Sequence, residues 1–526
     1  MTSFYGETRV KDYISDEEEN KTSRANVDKW IFRLLLILIG FMPIIVMASI
    51  KEVVSPVIST HQQLTSGIKG DLFTVYKALI IIVLTSITGL LFFMKIIFME
   101  GKIKKTSINV FLGVFVLGII LSTIMSPNIT TALNGLFNRS DGAIIWLCYI
   151  ALFFISMNIE YPKKAIKYIL YSLYPFILIN FVIITMNFIG KDLLNYSIVQ
   201  SLISLFLPEG TGLTEGSTLV GTLNHYNYMS GTFAIITLTY LSWAFIDKNI
   251  IQAIINFIIS LFAMATMLMA ASASGFVTIV CMTPFIVWIA IKTVNKKVSF
   301  IYLICFYLIT AAMIHILSLK NPEVWDESVG FFAFQGLYSQ EQSVQSISNN
   351  NSFSIMSLMS STVYANDEVF ELPQLPESAW SAGTGRIYIW SETLKLVMER
   401  PILGYGLDTL MYYFPHDNLE ARGNLAMVTV VDKPHSLYVG IIYGTGILGF
   451  IGFVSFIILT AWFAVKCIYN YKNNGGLYVV LCIAWIAFLI QSFINDSLPA
   501  TTCIMFILAG VMVSYILNQK ETKIRQ

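Results

Sequence analysis

Charged residues are scarce in this sequence of 526 residues. Asp, Glu, Lys and Arg together make up 12% of the chain, and 56% of it is hydrophobic. A soluble domain of this size would carry about twice that charge. The mean hydropathy is +0.70. This composition excludes an ordinary soluble enzyme and is typical of an integral membrane protein.

Cysteine and metal-ligand patterns are also scarce. All six cysteines lie in or at the edge of apolar runs, so we expect them to pack and not to form disulfides. No Asp-x-Asp pair occurs, and no group of Cys and His has the spacing of a metal site. We therefore expect no metal and no other cofactor.

Long apolar runs are what the sequence has in abundance. Windows of about 17 to 25 apolar residues are long enough to cross a bilayer. About twelve occur, at approximately 31–50, 74–98, 107–126, 143–158, 166–188, 228–246, 250–271, 274–292, 299–318, 436–466, 477–495 and 499–517. The predicted fold class is an all-α polytopic membrane protein of about twelve transmembrane helices with one large extracytoplasmic loop.

Clusters of lysine and arginine predict the orientation. Every such cluster falls on one side of the membrane if both chain termini are cytoplasmic, and positive residues favour that side. The polar start of the chain indicates no cleavable signal peptide. The predicted segments are a cytoplasmic tail (1–30), nine helices (31–318), an extracytoplasmic loop (319–435), three helices (436–517) and a second cytoplasmic tail (518–526).

The large loop divides into two parts by its pattern. A Ser-, Asn- and Gln-rich stretch suggests a flap at about 335–380 without a core of its own. Beyond it, apolar residues at helical spacing predict a helix at about 385–399, and a shorter helix is expected near 407–413. The segment 195–208 suggests a helix in the outer interface, or equally a loop helix packed on the bundle.

Basic side chains gather in the predicted outer loops. Arginine suits phosphate because its planar fork donates two hydrogen bonds and keeps its charge. Histidine suits proton removal from a hydroxyl near neutral pH. Arginine and histidine side chains together would serve a transfer in which a sugar hydroxyl attacks an anomeric carbon and a lipid pyrophosphate leaves. The candidates are Arg139, Arg386, Arg400, Arg422, His416 and His435.

Each candidate also has an ordinary explanation. An arginine in an outer loop is often a solvated charge or a contact to a lipid headgroup, and His435 could simply start a helix at the interface. We expect Lys433, Arg400, Arg422 and His416 to be solvated on these grounds. Few charges lie deep in the apolar runs, and this lowers the odds of an ion-coupled transporter.

The motifs around these residues resemble the O-antigen ligase and polymerase superfamily. They are Gly385-Arg386-Ile387 to Trp390, Pro401 to Gly406, Pro434-His435 with Leu437-Tyr438, and Gly444, Gly446 and Gly449. Residues 221–231 are similar to the family's Gly-x-x-Asn-x-x-Asn element through Asn224 and Asn227. Residues 134–144 look like its first outer loop, with Arg139. Of these stretches, only 385–449 is specific.

The resemblance implies a GT-C-like fold and a metal-independent, inverting glycosyltransferase that uses a glycan on an undecaprenyl-pyrophosphate carrier. His435 would be the base or acceptor-positioning group, and Arg386 would bind pyrophosphate; Arg139, Asn224, Asn227, Arg400 and Arg422 are further substrate-binding candidates. The family's Ser-Arg-Gly arginine is missing from residues 271–277, so Arg139 or another loop arginine would replace it. Ser436 also stands where the family commonly has Asn.

The leading hypothesis is a polymerase or ligase of cell-surface polysaccharide in the bacterial plasma membrane. Its partners would be the lipid-linked donor, a glycan, lipid or wall-polymer acceptor, and membrane lipids, with no nucleic acid. Polymerase is favoured over lipopolysaccharide ligase because the Ile, Asn and Lys usage suggests an AT-rich genome. Many such genomes belong to bacteria that lack lipopolysaccharide. The alternatives are a peptidoglycan polymerase using Asp408 or Asp432, a flippase or exporter, and a structural scaffold.

Overall fold

Helices make up most of the chain in the computed structural model. It describes residues 16–59, 61–208, 211, 219–223, 225–332, 336–338, 385–425, 429–471 and 476–525. The helices are α1 (Asp16–Gly40), α2 (Val75–Phe98), α3 (Ser107–Ile124), α4 (Ile129–Asn134), α5 (Ala143–Asn158), α6 (Ala165–Ser172), α7 (Tyr174–Phe188), α8 (Ser197–Ile203), α9 (Tyr226–Ile246), α10 (Ile250–Met269), α11 (Ala273–Lys292), α12 (Lys296–Lys320), α13 (Glu323–Asp326), α14 (Arg386–Glu399), α15 (Leu410–Tyr413), α16 (Leu419–Asn424), α17 (Leu437–Tyr469), α18 (Val479–Gln491) and α19 (Pro499–Arg525).

Within the described residues, nine helices are long and apolar enough to cross a membrane. They are α2, α3, α6 together with α7, α9, α10, α11, α12, α17 and α19. The predicted all-α membrane fold is confirmed. Two predicted spans are shorter apolar helices, α5 and α18. The span predicted at 31–50 overlaps α1, which already ends at Gly40. The count of about twelve spans, the segment boundaries and the orientation remain predictions.

The bundle is arranged around α9, whose residues are buried along almost its whole length. It packs against α10, α11 and α18, while α17 packs on α3 and α19 on α5. Other helices keep an apolar face exposed, as α12 does at Ile301, Ile304 and Leu308. A helix that is apolar all round suits the centre of a membrane bundle, and an exposed apolar face suits lipid. The starts of α5, α9, α17 and α19 carry the polar residues described below.

The glycine motif around residue 404 locks against a kink in α17. At Gly446 the backbone leaves helical geometry, with φ at 59°. The chain before α15 runs along this kink: the N–H of Tyr405 donates to the carbonyl of Tyr443 at 3.0 Å, and the N–H of Ile447 donates to that of Pro401 at 2.8 Å. A Cβ on Gly446 would lie 2.4 Å from the Ile402 carbonyl carbon. The contact therefore fixes the end of α14 relative to the start of α17.

Several local predictions can be compared with the described residues. The helix predicted at about 385–399 is α14, and the one near 407–413 is represented by the shorter α15. The segment 195–208 contains α8. A hairpin, β1 (Ser49–Val53) paired antiparallel with β2 (Gly67–Asp71), occupies a stretch for which no strands were expected. The predicted flap at 335–380 lies outside the described residues except for 336–338.

Candidate functional site

The segment from Asp432 to Ser436, just before α17, is held at each of its residues. Three of the anchors are ion-pair contacts between side chains, and two are hydrogen bonds to the segment's backbone. In chain order, Asp432 accepts from Arg139 Nε at 2.8 Å, Lys433 donates to Asp141 at 2.7 Å, the Pro434 carbonyl accepts from Trp390 Nε1 at 2.6 Å, His435 Nδ1 lies 3.2 Å from Asp496 Oδ2, and Ser436 N donates to Asp496 Oδ1 at 3.1 Å. The segment is therefore fixed in space by three other parts of the chain: the loop before α5, helix α14 and the loop before α19.

His435 has an unusual backbone conformation within this segment. Its φ is 55°, in the left-handed region that costs a residue with a Cβ about 1–2 kcal/mol. Its side chain is one-third exposed, whereas that of Asp496 is buried. The Nδ1 to Oδ2 contact is an ion pair by distance but lacks hydrogen-bond geometry. The ring is therefore presented with one nitrogen towards a buried carboxylate.

Arg386 is the first residue of α14, following Gly385 in the left-handed conformation. Its Nε is buried and has no hydrogen-bond partner among the described residues. Burial lowers the pKa of Arg386, and the negative charges of Asp496 and Glu327 oppose this shift. Glu327 in turn accepts from the N–H of Ala273, at the start of α11, at 2.8 Å. The Asp496 carboxylate thus contacts His435 and acts electrostatically on Arg386.

Arg139 and Lys433 form buried ion pairs. Burial disfavours the charge of Arg139, but the Asp432 carboxylate prevails and raises the pKa of the arginine. Burial would likewise raise the pKa of Asp432, and Arg139 lowers it below its usual range. Lys433 is also buried, and Asp141 with Asp408 raises its pKa. The expectation that Lys433 is solvated was wrong, because the partners lie far away in the sequence.

Asn227 is used to join helices at the start of α9. Its side-chain oxygen accepts from Ser272 Oγ at 2.5 Å, and its carbonyl accepts from Asn495 Nδ2 at 3.0 Å and from Ser274 Oγ at 3.2 Å. Residues 272–274 are where the family's arginine is missing. In this chain, the hydroxyls of Ser272 and Ser274 hold α9 to α11. Glu327 bonds the start of α11 and also acts electrostatically on the positively charged Arg386.

The remaining predicted residues are not brought to His435. Arg400 directly follows α14, so the 14-residue helix places it about 20 Å from Arg386. It donates to the Met125 carbonyl at 3.2 Å and lies over the Tyr405 ring. Arg422 belongs to α16, and its side chain is outside what the structure describes. Asn224 also lies outside the described residues.

His416 does not match its prediction as a solvated residue either. The ring nitrogen Nε2 accepts from the N–H of Val431 at 2.9 Å, and the imidazole packs on Phe414. Burial lowers the pKa of His416. The histidine therefore supports the backbone just before Asp432, and it is not one of the groups around Asp496.

A cavity lies beneath the anchored segment. It is lined by four carboxylates, Lys433, Ser497 and apolar side chains from α5 and α17. The carboxylates are Asp141, Asp408, Asp432 and Asp496. Among the residues that the structure describes, no three Asp, Glu, His or Cys residues are grouped to hold a metal ion. The expectation of a metal-free reaction stays a prediction.

Three residues of this site were not singled out by the sequence. Asp496 was recognised only as a charge near the end of an apolar run, and Asp141 was not considered. Glu327 lies in the predicted large loop without a distinguishing motif. The available signal was position: Asp141 is two residues from Arg139, and Asp496 begins the short polar break between two apolar runs.

Comparison with known families gives one match. Residues 258–454 match the family described as O-Antigen ligase, a stretch that contains Arg386, His435 and the glycines of the α17 kink. No curated protein matches the chain. The resemblance seen in the motifs is confirmed, and the match supports a ligase- or polymerase-like role on membrane glycans. This chain is an integral membrane protein whose residues 258–454 match the O-antigen ligase family.

Proposed function

We propose that the protein transfers a glycan from an undecaprenyl-pyrophosphate carrier to an acceptor hydroxyl at the outer face of the bacterial plasma membrane. Polymerisation of repeat units is favoured over ligation to a final acceptor. The observation that carries this proposal is that the buried Asp496 carboxylate contacts His435 at 3.2 Å and also acts electrostatically on Arg386. A base and a phosphate-binding cation are the two groups that such a transfer needs.

His435 acts as the base. Its Nδ1 faces Asp496 at 3.2 Å, so the ring is oriented with Nε2 available to the acceptor hydroxyl. A neighbouring carboxylate stabilises the imidazolium that forms when the histidine takes a proton. The hydroxyl oxygen attacks the anomeric carbon from the side opposite the carrier, and the bond from that carbon to the pyrophosphate breaks. The configuration at the anomeric carbon is inverted.

Arg386 stabilises the leaving pyrophosphate. Its buried Nε lacks a hydrogen-bond partner among the described residues, so a phosphate oxygen would complete its bonding. Charge-assisted hydrogen bonds of this kind are about twice as strong as neutral ones. Arg139 is less suited to direct binding because Asp432 already accepts from its Nε and Nη2. We assign Arg139 to holding the His435 segment in place.

The rival enzyme hypothesis needs an available catalytic aspartate. Asp408 and Asp432 were its candidates, and both are buried and paired, the first with Lys433 at 3.6 Å and the second with Arg139. This arrangement disfavours either residue as the group that takes the proton directly from the acceptor hydroxyl. An exporter would instead be supported by glycan transport without any change of chain length in the site variants.

The test is the length distribution of surface glycan, measured together with its carrier-linked precursor. Cells would carry the wild type, His435→Ala, Arg386→Ala or, as a control, His315→Ala, at matched protein levels. His315 is exposed and bonds Tyr338 at 2.7 Å, away from the site. We expect the first two variants to accumulate single repeats on the carrier and to lose long chains, with the control unchanged.

Other outcomes decide between readings of the same site. Long chains that form but stay on the carrier would identify a ligase. Unchanged glycan in both His435→Ala and Arg386→Ala would show that this site does not carry the reaction. Loss in the His315→Ala control as well would indicate a folding defect, which the matched protein levels are designed to reveal.

A further inference from the structure

Two buried carboxylate oxygens in the site have no hydrogen-bond donor among the described residues. They are Asp408 Oδ1 and Asp496 Oδ2. The Asp408 side chain is 1% exposed and that of Asp496 is 4% exposed, so bulk water does not reach them. Both residues line the same cavity. Buried polar atoms are nearly always bonded, which points to a ligand that bonds both carboxylates.

The cavity suits water. It offers about 40 Å³ to the centres of water molecules, and one buried water needs roughly 10–15 Å³ measured in this way. A buried water also needs two to four polar partners. Besides the two carboxylate oxygens, Lys433 has one N–H left after donating to Asp141 and to the Ser497 carbonyl. The polar partners for a short water chain are therefore present.

Asp408 is suited to hold a proton at the inner end of such a chain. Burial, opposed by Lys433 and reinforced by Asp141, raises the pKa of Asp408 to about 6. The groups that act on it are Arg139 and Asp141 from the loop before α5, Lys433 from the anchored segment and Tyr412 from α15. Its Oδ2 is fixed by the N–H of Leu136 at 2.7 Å, which leaves Oδ1 to take the proton.

We propose that Asp408 receives, through water in this cavity, the proton that the acceptor hydroxyl gives to His435. The inference rests on the proposed function. The hydroxyl O–H bond breaks as its oxygen bonds the anomeric carbon, and the electron pair of the broken carbon–oxygen bond leaves with the pyrophosphate. The proton enters His435 at Nε2 and leaves from Nδ1, past Asp496. It converts the Asp408 carboxylate to the acid and is later released to the outside.

The test has one readout that does not depend on activity. Infrared difference spectra of the full-length protein in detergent, recorded between pH 5 and 7, detect the carbonyl band of a protonated carboxylic acid. We expect a band that titrates near pH 6, disappears in Asp408→Asn and persists in Asp71→Asn. The control residue is also a buried aspartate that accepts backbone N–H groups, at the start of α2. Asp408→Glu should keep a band at a shifted frequency.

The second readout is the transfer reaction with purified carrier-linked repeats. We expect Asp408→Asn to lower kcat by about 10-fold at an unchanged KM for the donor, less than the roughly 10²–10⁴-fold typical of losing a direct base. Asp408→Glu should restore part of kcat. A merely structural role would not produce the band together with a pure kcat effect.

The outcomes separate the two proposals. If the band is absent, or persists in Asp408→Asn, the proton-holding role is refuted whatever the transfer assay shows. A band that behaves as expected with unaltered kcat in Asp408→Asn also refutes the role in the reaction. If the wild type shows no transfer, the proposed function fails, and the link between Asp408 and His435 fails with it. If Asp408→Asn does not fold, the titration of the wild type and of Asp408→Glu decides.

Discussion

Removal of the Lys433 ammonium should destabilise the folded protein strongly. Lys433→Met keeps the length and apolar stem of the side chain but leaves Asp141 and Asp408 without their shared cation. The three side chains are 7%, 3% and 1% exposed, so solvent cannot compensate. Breaking a buried ion pair by removing one partner typically costs about 3–5 kcal/mol. We expect a loss of that size in the free energy of unfolding.

The matched control is another lysine paired with a carboxylate. Lys395 lies 2.6 Å from Glu392 on α14, but its side chain is 55% exposed. Lys395→Met should therefore change stability little, because exposed ion pairs contribute little. Chemical or thermal unfolding in the same detergent compares both variants with the wild type.

The pH dependence of the loss gives a second check. Without Lys433, which opposes the effect of burial, the Asp408 carboxylate favours protonation in the folded state even more, so the folded state binds more protons than the unfolded state. Stability of Lys433→Met should then recover as the pH is lowered from 7 to 5. A loss below about 1 kcal/mol, or equal losses in the two lysine variants, would refute the reasoning that this cluster is buried and mutually compensated.

Three further predictions concern single residues. Asp496→Asn should keep the hydrogen bond from Ser436 N but remove the negative charge beside His435. The rate of transfer should therefore fall by about 10²-fold, while thermal stability stays near that of the wild type. Normal glycan length in this variant would contradict the prediction. Gly446→Ala should destabilise the folded protein by about 1–3 kcal/mol, because φ is +59° and the new Cβ would lie 2.4 Å from the Ile402 carbonyl carbon. Gly113→Ala is the control, since its new Cβ would have no atom within 4 Å and should not change stability. Thermal unfolding of both variants is the measurement. Because the pKa of Asp408 is raised to about 6 from an ordinary 3.8, the folded state binds one more proton than the unfolded state between these pH values. The free energy of unfolding should therefore fall as the pH rises through that window. In Asp408→Asn, the free energy of unfolding should depend less steeply on pH.

The sequence was sufficient for the features that depend on local pattern. The lengths of the apolar runs predicted a polytopic helical membrane protein, and α14 was predicted within a residue or so of its ends. Arg386 and His435 were recognised because glycine and proline motifs surround them, and these motifs have local causes. Gly446, for example, is required where a kinked helix touches the backbone at Ile402.

Features that depend on packing between distant segments were not predictable in the same way. Lys433 and Asp141 are 292 positions apart, so nothing near either residue indicates that they pair. Arg400 carries the same charge as Arg386, but the length of α14 takes it about 20 Å away. The hairpin of β1 and β2 was missed because its short strands lie between turns and make no long apolar pattern.

The sequence by itself therefore determined the membrane class and the family motifs, and it predicted Arg386 and His435 as site residues. Only the tertiary structure decided what surrounds them: that Asp496 contacts His435 and acts electrostatically on Arg386, and that Arg139 is neutralised by Asp432. The physical reason is that apolar periodicity and turn residues act over a few positions, whereas a buried charge is stable only next to a partner that the fold brings to it.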